Sequence, residues 1–168
     1  MLSKLVQLSS DEFGIILSAK FLSTDFELAS SINAFQEVLR GVVVNGCHFH
    51  LCQVVIRKVG DMGHKITYRD DEQFAIRVRM LMALAFLPTY STKEQFAVIH
   101  SAAPASSADV VEYFNSTYVN GPVIRGSGNT AVTNPPMFPP TLWNVAERFC
   151  KLQQQTAMLK HGIVDYKA

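Results

Sequence analysis

The sequence lacks the features that would assign a protein quickly to a class. Its formal net charge is only +1, which excludes a bulk electrostatic attraction to nucleic acid or membrane but leaves room for a local basic patch. Its three cysteines, two of them five positions apart, make a poor disulfide framework and indicate a reducing compartment. It has no apolar run of membrane-spanning length, no signal-peptide pattern and no internal repeat. We therefore expect a soluble, intracellular protein without a membrane partner.

What is present is enough apolar material for a core and a clear pattern near the N-terminus. The 168 residues suit one domain, and 48% of them are hydrophobic. Residues 21–24 are the best early strand candidate, residues 26–40 have helical apolar spacing ended by Gly41, and "VVV" at 42–44 suits a strand buried on both faces. Strand, helix and strand with short joints predict a parallel βαβ unit.

Helical patterns dominate the rest of the chain. A helix is expected from about residue 47 to Gly60 or Gly63, and a long one from Asp70 or Asp71 to Pro88. The long helix should bury one stripe, made of Phe74, Val78, Leu81 and Ala85. Two capping boxes, Ser91 with Glu94 and Ser106 with Asp109, predict two shorter helices. Residues 120–140 read as an irregular, proline-rich loop, and a last helix is expected over 144–160.

Asp25 is the first candidate for chemistry. It follows a predicted strand and precedes a predicted helix, which puts its carboxylate at the carboxyl edge of a sheet, where open α/β folds bind their ligands. A carboxylate in that place can help to hold a magnesium ion. The competing interpretation is that Asp25 only caps the helix that follows, since Asp is favoured at that position.

The stretch "NGCHFHLCQ" packs two cysteines and two histidines into six positions. On a helix, Cys47 and His50 share one face, and His48 and Cys52 share another. One C-x-x-H pair is half of a tetrahedral zinc site, and no second half-site has the matching spacing. Any further ligands would have to come from His64, His100, Cys150 or His161. The alternative is a structural role, with buried thiols and hydrogen-bonded imidazoles fixing the strand-to-helix junction.

Two pairs of basic residues are the third candidate, for contact with the phosphates of DNA. They are Arg57 with Lys58 and Arg77 with Arg79. Such pairs also occur routinely on exposed helix faces, so an ordinary solvated surface is the simpler interpretation.

Four stretches together resemble the transposase domain of Mutator-like elements (MULE). They are "FLSTDFELASSINAF", "NGCHFHLCQVVIRKVGDMG", "YRDDEQFAIRVRMLMALAFLP" and "PPMFPPTLWNV", in this order, and the similarity covers roughly residues 20–145. The resemblance implies a ribonuclease H-like core interrupted by a helical insertion. It also implies an Asp-Asp-Glu triad that holds two magnesium or manganese ions for phosphodiester attack.

The resemblance carries over to only part of that triad. Asp25 matches the second catalytic Asp, and Cys47 and His50 match the C-x-x-H motif after it. The first Asp and the final Glu have no counterpart, and the surroundings of Glu147 do not match the family pattern. We expect a fragment of a MULE-type DNA transposase domain that is catalytically inactive and itself binds no metal cofactor. The alternatives are a DNA- or protein-binding module derived from a transposase, or part of an active transposase whose gene model is incomplete.

The expected fold class is therefore α/β, mostly helical, with a partial ribonuclease H-like βαβ unit of two or three strands followed by a helical insertion. The expected divisions are an unassigned segment over 1–20, the partial core with its C-x-x-H helix over 21–60, the insertion over 61–119, a Pro/Gly-rich loop over 120–141, and a C-terminal helix and tail over 142–168. DNA and other transposase subunits, in a homo- or hetero-oligomer, are the expected partners, and the nucleus is the compartment that the resemblance implies.

Overall fold

The structure, a computed structural model, describes residues 4, 7, 11–14, 21–26, 37–39, 41–126, 128 and 131–146. The chain is mostly helical with a few short strands, as expected for a mostly helical α/β protein. The main elements in chain order are β1 (Phe21–Thr24), β2 (Val43–Gly46), α1 (His48–Asp61), α2 (Lys65–Asp70), α3 (Glu72–Ala83), α4 (Thr92–Ser101), α5 (Ala108–Phe114), β3 (Val123–Arg125), β4 (Val132–Thr133) and α6 (Pro140–Trp143).

The two strands near the N-terminus pair in parallel, as predicted. Phe21 lies opposite Val43, and Thr24 lies opposite Gly46. The predicted helix between the strands falls mainly on residues outside the described ones, although residues 37–38 are helical and Gly41 has the positive φ of +80° that suits a helix end. The expectation that the second strand is buried on both faces is wrong. Val42 and Val44 are buried, but Val43 between them is 50% exposed, because alternate side chains of a strand point to opposite faces.

The helical region follows the predicted pattern in part. The long helix predicted to reach Pro88 ends at Ala83 and continues as a 3₁₀ turn over Leu84–Phe86, and the short helix α2 before it was not predicted. Helix α1 ends in a turn in which Gly63 takes a φ of +86°. Asp71 rather than Asp70 caps α3, because its carboxylate accepts hydrogen bonds from the amides of Gln73 and Phe74. All four residues of the predicted apolar stripe are buried, namely Phe74, Val78, Leu81 and Ala85.

Neither predicted capping box forms. The Ser91 hydroxyl donates backwards to the carbonyl of Pro88, and a short 3₁₀ turn over Thr89–Ser91 precedes α4. Ala105–Ser107 makes a similar turn before α5, and Asp109 bonds the amide of Val110 instead of completing a box. Serine competes for nearby carbonyls in such turns, so each helix begins near its predicted place without the predicted cap.

The structure also differs from two predictions for the C-terminal third of the chain. Strands β3 and β4, within the supposedly irregular loop, pair in an antiparallel ribbon. Asn144, the expected start of a long helix, has extended backbone angles and follows the short helix α6. Residues 147–160 of that predicted helix lie outside the described residues.

The core gathers side chains from almost every described helix around two buried rings. Trp143 and Tyr118 are fully buried, and the indole nitrogen of Trp143 donates to the carbonyls of Tyr118 and Phe138. A five-residue π-helical turn, Asn115–Val119, carries Tyr118 into this position. Among the described residues, no helix has the length and apolar character needed to cross a bilayer.

Candidate functional site

Asp25 lies where the sequence places it, directly after the end of β1. Thr24, the last residue of that strand, pairs with Gly46 at the end of β2, and the amide of Cys47 donates to the carbonyl of Thr24 at 2.7 Å. The Asp25 side chain is half-buried. The parallel register therefore brings Asp25 and the start of the C-x-x-H helix to the same carboxyl edge.

Phe26 anchors this edge of the sheet to the hydrophobic core. Its ring packs edge-on against the rings of Phe138, at 5.2 Å between centroids, and Tyr118, at 6.1 Å. The same ring lies so close to Gly46 that a Cβ atom there would overlap it. The chain thus enters the core immediately after Asp25, and any side chain at the end of β2 would have to displace the Phe26 ring.

Helix α1 begins at His48, and its first two turns carry the Cys/His cluster. His48 Nε2 lies 3.5 Å from the Cys52 sulfur, one helical turn later, and the His48 ring packs edge-on against Phe86 at 4.7 Å. Burial and the neighbouring Cys47 thiol raise the pKa of Cys52, against the lowering effect of a backbone hydrogen bond. Cys52 is therefore a protonated thiol at neutral pH, which does not suit a nucleophile.

The pair Cys47 and His50 does not gain the partners of a closed zinc site. Within the described part of the chain, no three His, Cys, Asp or Glu side chains come together in a way that could hold a metal ion. His64, one proposed additional ligand, instead pairs with Asp109 at 2.7 Å, and His100 packs beside Phe96 at 5.9 Å between ring centroids. Cys150 and His161 lie outside the described residues.

Among the described residues, the donor set at the strand edge does not fit a two-magnesium centre either. Magnesium prefers oxygen ligands and is usually held by carboxylates, water and substrate phosphate. Asp25 supplies one carboxylate, while the neighbouring donors Cys47 and His50 are a thiol and an imidazole, which suit softer metals. The arrangement can orient a polar group at the edge, but no metal-dependent step can be derived from it.

The four basic residues predicted to contact phosphate have different surroundings in the structure. The Lys58 ammonium lies over the ring of Tyr113 at 5.2 Å, and Arg77 is half-buried, with a guanidinium nitrogen 4.0 Å from the sulfur of Met80. Of these four residues, only Arg57 and Arg79 are exposed. Arg57 lines a groove together with Tyr68 of α2, and the guanidinium of Arg79 lies over the Tyr68 ring.

Arg57 and Tyr68 line a shallow groove between α1 and α2 with a volume of about 250 Å³, together with Ile56, Val59, Gly60 and Lys65. Sequence reasoning missed Lys65 and Tyr68 because they do not form a basic pair or a recognised motif. The available signal was "GHKITYRD", in which a lysine and a tyrosine three positions apart fall on one face of a helix.

Comparison of the chain with protein families, with curated proteins and with solved structures finds no match.

Proposed function

We propose that this chain is part of a transposase domain of the Mutator-like type, comprising a segment of its ribonuclease H-like core and its helical insertion. The proposal starts from the four ordered stretches that resemble that family. Its strongest support is that these stretches contact one another, including the fourth, which lies more than 40 residues after the third in sequence.

The contacts between the stretches are specific. Phe26 of the first packs against Phe138 of the fourth at 5.2 Å, and its ring occupies the space beside Gly46 of the second. His48 of the second stretch packs against Phe86 of the third at 4.7 Å.

The third and fourth stretches are joined through the backbone. The amide of Val145 donates to the carbonyl of Ala85 at 2.8 Å, and the Asn144 side chain donates to the carbonyl of Leu87. A set of motifs that belongs to one ancestral domain is expected to pack together in this way, because each motif supplies the partner of another.

The second support is the position of Asp25. A carboxylate at the carboxyl end of a parallel strand, beside a helix that begins with a C-x-x-H motif, is the arrangement that the resemblance implies for the second catalytic Asp. Cys47 and His50 then have an inherited structural role at the junction between β2 and α1.

We further propose that these 168 residues do not cleave DNA by themselves. In-line phosphoryl transfer by two metals needs several carboxylates around both ions. Asp25 belongs to no group of three or more ligating side chains in the part of the chain that the structure describes. An inactive relic, or one portion of a larger active enzyme, accounts for this arrangement.

The direct test is a nuclease assay with plasmid DNA and magnesium or manganese. Wild type, Asp25→Asn and the matched control Asp61→Asn, an exposed carboxylate on α1, should all leave the DNA intact. Metal-dependent cleavage by wild type and Asp61→Asn that disappears in Asp25→Asn would overturn the inactivity. Sequencing the genomic DNA on both sides then separates the alternatives, because an upstream Asp strand and a downstream Glu helix would identify part of an active enzyme.

DNA binding without cleavage is the second candidate function, and the exposed cations at the α1–α2 groove favour it. Arg57 and Lys65 line the groove, and Arg79 lies next to its aromatic wall. A gel-shift series in increasing salt should show steeply falling affinity, because bound phosphates release counterions. Nuclear localisation and association with other transposase subunits would accompany this function. Binding that is absent or insensitive to salt would exclude it.

A further inference from the structure

The α1–α2 groove combines positive charge with an apolar surface. Ile56 and Val59 of α1 form its apolar wall, and Arg57 and Lys65 place cations at its edge. Tyr68 of α2 supplies an aromatic surface. Among the described residues, none of those that line the groove is a carboxylate, so its charged side chains are both cationic.

Neighbouring residues hold Tyr68 in place. The guanidinium of Arg79 lies 6.0 Å from the centre of the Tyr68 ring, and Glu72 pairs with the same guanidinium at 3.0 Å. Both residues belong to α3, whose N-terminus is fixed by the Asp71 cap. The ring is therefore oriented by a helix different from its own, which lowers the entropy cost of placing a flat ligand against it.

We propose that this groove binds single-stranded nucleic acid, with one base against Tyr68 and the adjoining phosphates on Arg57 and Lys65. Stacked bases of a duplex hide their faces, whereas a single strand offers both a flat apolar face and a phosphate to the same small site. The groove, with a volume of about 250 Å³, is smaller than the roughly 300–1,000 Å³ of pockets that enclose drug-sized ligands, so we assign it a single base. An acidic peptide would use the cations but not the aromatic wall.

This inference deepens the second candidate function and replaces its predicted contacts. The DNA-phosphate contacts expected from Arg57, Lys58, Arg77 and Arg79 are replaced in this proposal by a single-strand site made by Arg57, Lys65 and Tyr68. Lys58 and Arg77 have no part in it, because one lies over Tyr113 and the other is half-buried beside Met80.

The test is fluorescence anisotropy with a labelled single-stranded oligothymidylate and a duplex of the same length. Wild type should bind the single strand more tightly than the duplex. Tyr68→Leu should weaken single-strand binding at least about fivefold, whereas Tyr68→Phe, which keeps the stacking surface, should bind like wild type. The double variant Arg57→Gln/Lys65→Gln should lower the steepness of the salt dependence by about 1.4, since each lost phosphate contact removes about 0.7.

Lys93→Gln is the matched control, because it removes an exposed lysine from α4 and should leave the affinity unchanged. Thermal melting of each variant checks that it remains folded. Equal loss in Lys93→Gln, or single-strand binding unaffected by Tyr68→Leu, would overturn the groove as the site. Preference for the duplex would leave DNA binding standing and remove this inference, while failure to bind either DNA, or binding only of an oligoglutamate, would remove both.

Discussion

Gly46 shows how one residue can decide the geometry of the strand edge. The ring of Phe26 occupies the space where a side chain at position 46 would lie, and Phe26 is itself anchored by Tyr118 and Phe138. The position of Asp25 depends on this packing, because Asp25 precedes Phe26 directly.

Gly46→Ala should therefore lower the free energy of unfolding by about 1–3 kcal/mol, the usual cost of inserting a methyl group into a packed interior. Gly60→Ala is the matched control. It lies in α1 with open space around its Cα, so the same change there should raise stability by about 0.5–1 kcal/mol through better helix propensity. Urea denaturation of both variants measures the difference. Equal effects of the two substitutions would contradict the packing of Phe26 on Gly46.

At the scale of elements, helix starts differ in how they are stabilised. Helix α3 has a side-chain cap from Asp71, whereas α4 and α5 begin after short 3₁₀ turns without one. The first turn of α3 thus depends on a single carboxylate. Helix α3 carries three residues of the buried stripe, Phe74, Val78 and Leu81, and the arginine that orients Tyr68.

Asp71→Ala should cost about 0.5–2 kcal/mol of stability, since two amides at the start of α3 lose their acceptor. Asp70→Ala, the adjacent change, removes only an exposed ion pair with Arg69 and should leave the stability close to that of wild type. Chemical denaturation of the two variants tests this contrast. A larger loss in Asp70→Ala would show that the cap has been assigned to the wrong aspartate.

Local signals predicted the elements that depend on neighbours in the sequence. The Asp71 cap, the buried stripe of α3 and the turn at Gly63 all follow from residues within a few positions of one another. Some errors are local, since the two predicted capping boxes are replaced by short 3₁₀ turns before α4 and α5. The larger errors concern features set by distant partners. The exposure of Val43 depends on what covers the second face of the sheet, and the groove depends on how α2 packs against α1. No pattern along the chain encodes such tertiary contacts directly.

At the scale of the whole molecule, a few polar contacts join parts of the chain that are far apart in sequence. Trp143 donates to the carbonyl of Tyr118, and Asn144 donates to the carbonyl of Leu87, across 25 and 57 positions respectively. Buried polar groups must find such partners, so these bonds specify which helices meet as well as adding stability.

The hydrogen bond between His64 and Asp109 makes a comparable connection at the surface, between the start of α2 and α5. It should make the free energy of unfolding depend on pH in the acid range. Partial burial alone would raise the pKa of Asp109, but hydrogen bonds from His64 and the Val110 amide lower it overall. The unfolded chain, with an aspartate pKa of about 3.9, then binds the proton first, so this contribution is present above about pH 4 and is lost as pH falls below it. Because Asp109 is half exposed, Asp109→Asn should lower the free energy of unfolding near neutral pH by less than about 1 kcal/mol. Urea denaturation at several pH values should also show a weaker loss of stability in acid than in wild type. His64→Gln should weaken this acid dependence only in part, since the Val110 amide still favours the ionised carboxylate. If Asp109→Asn left the dependence of stability on pH unchanged, the role of this contact would be contradicted.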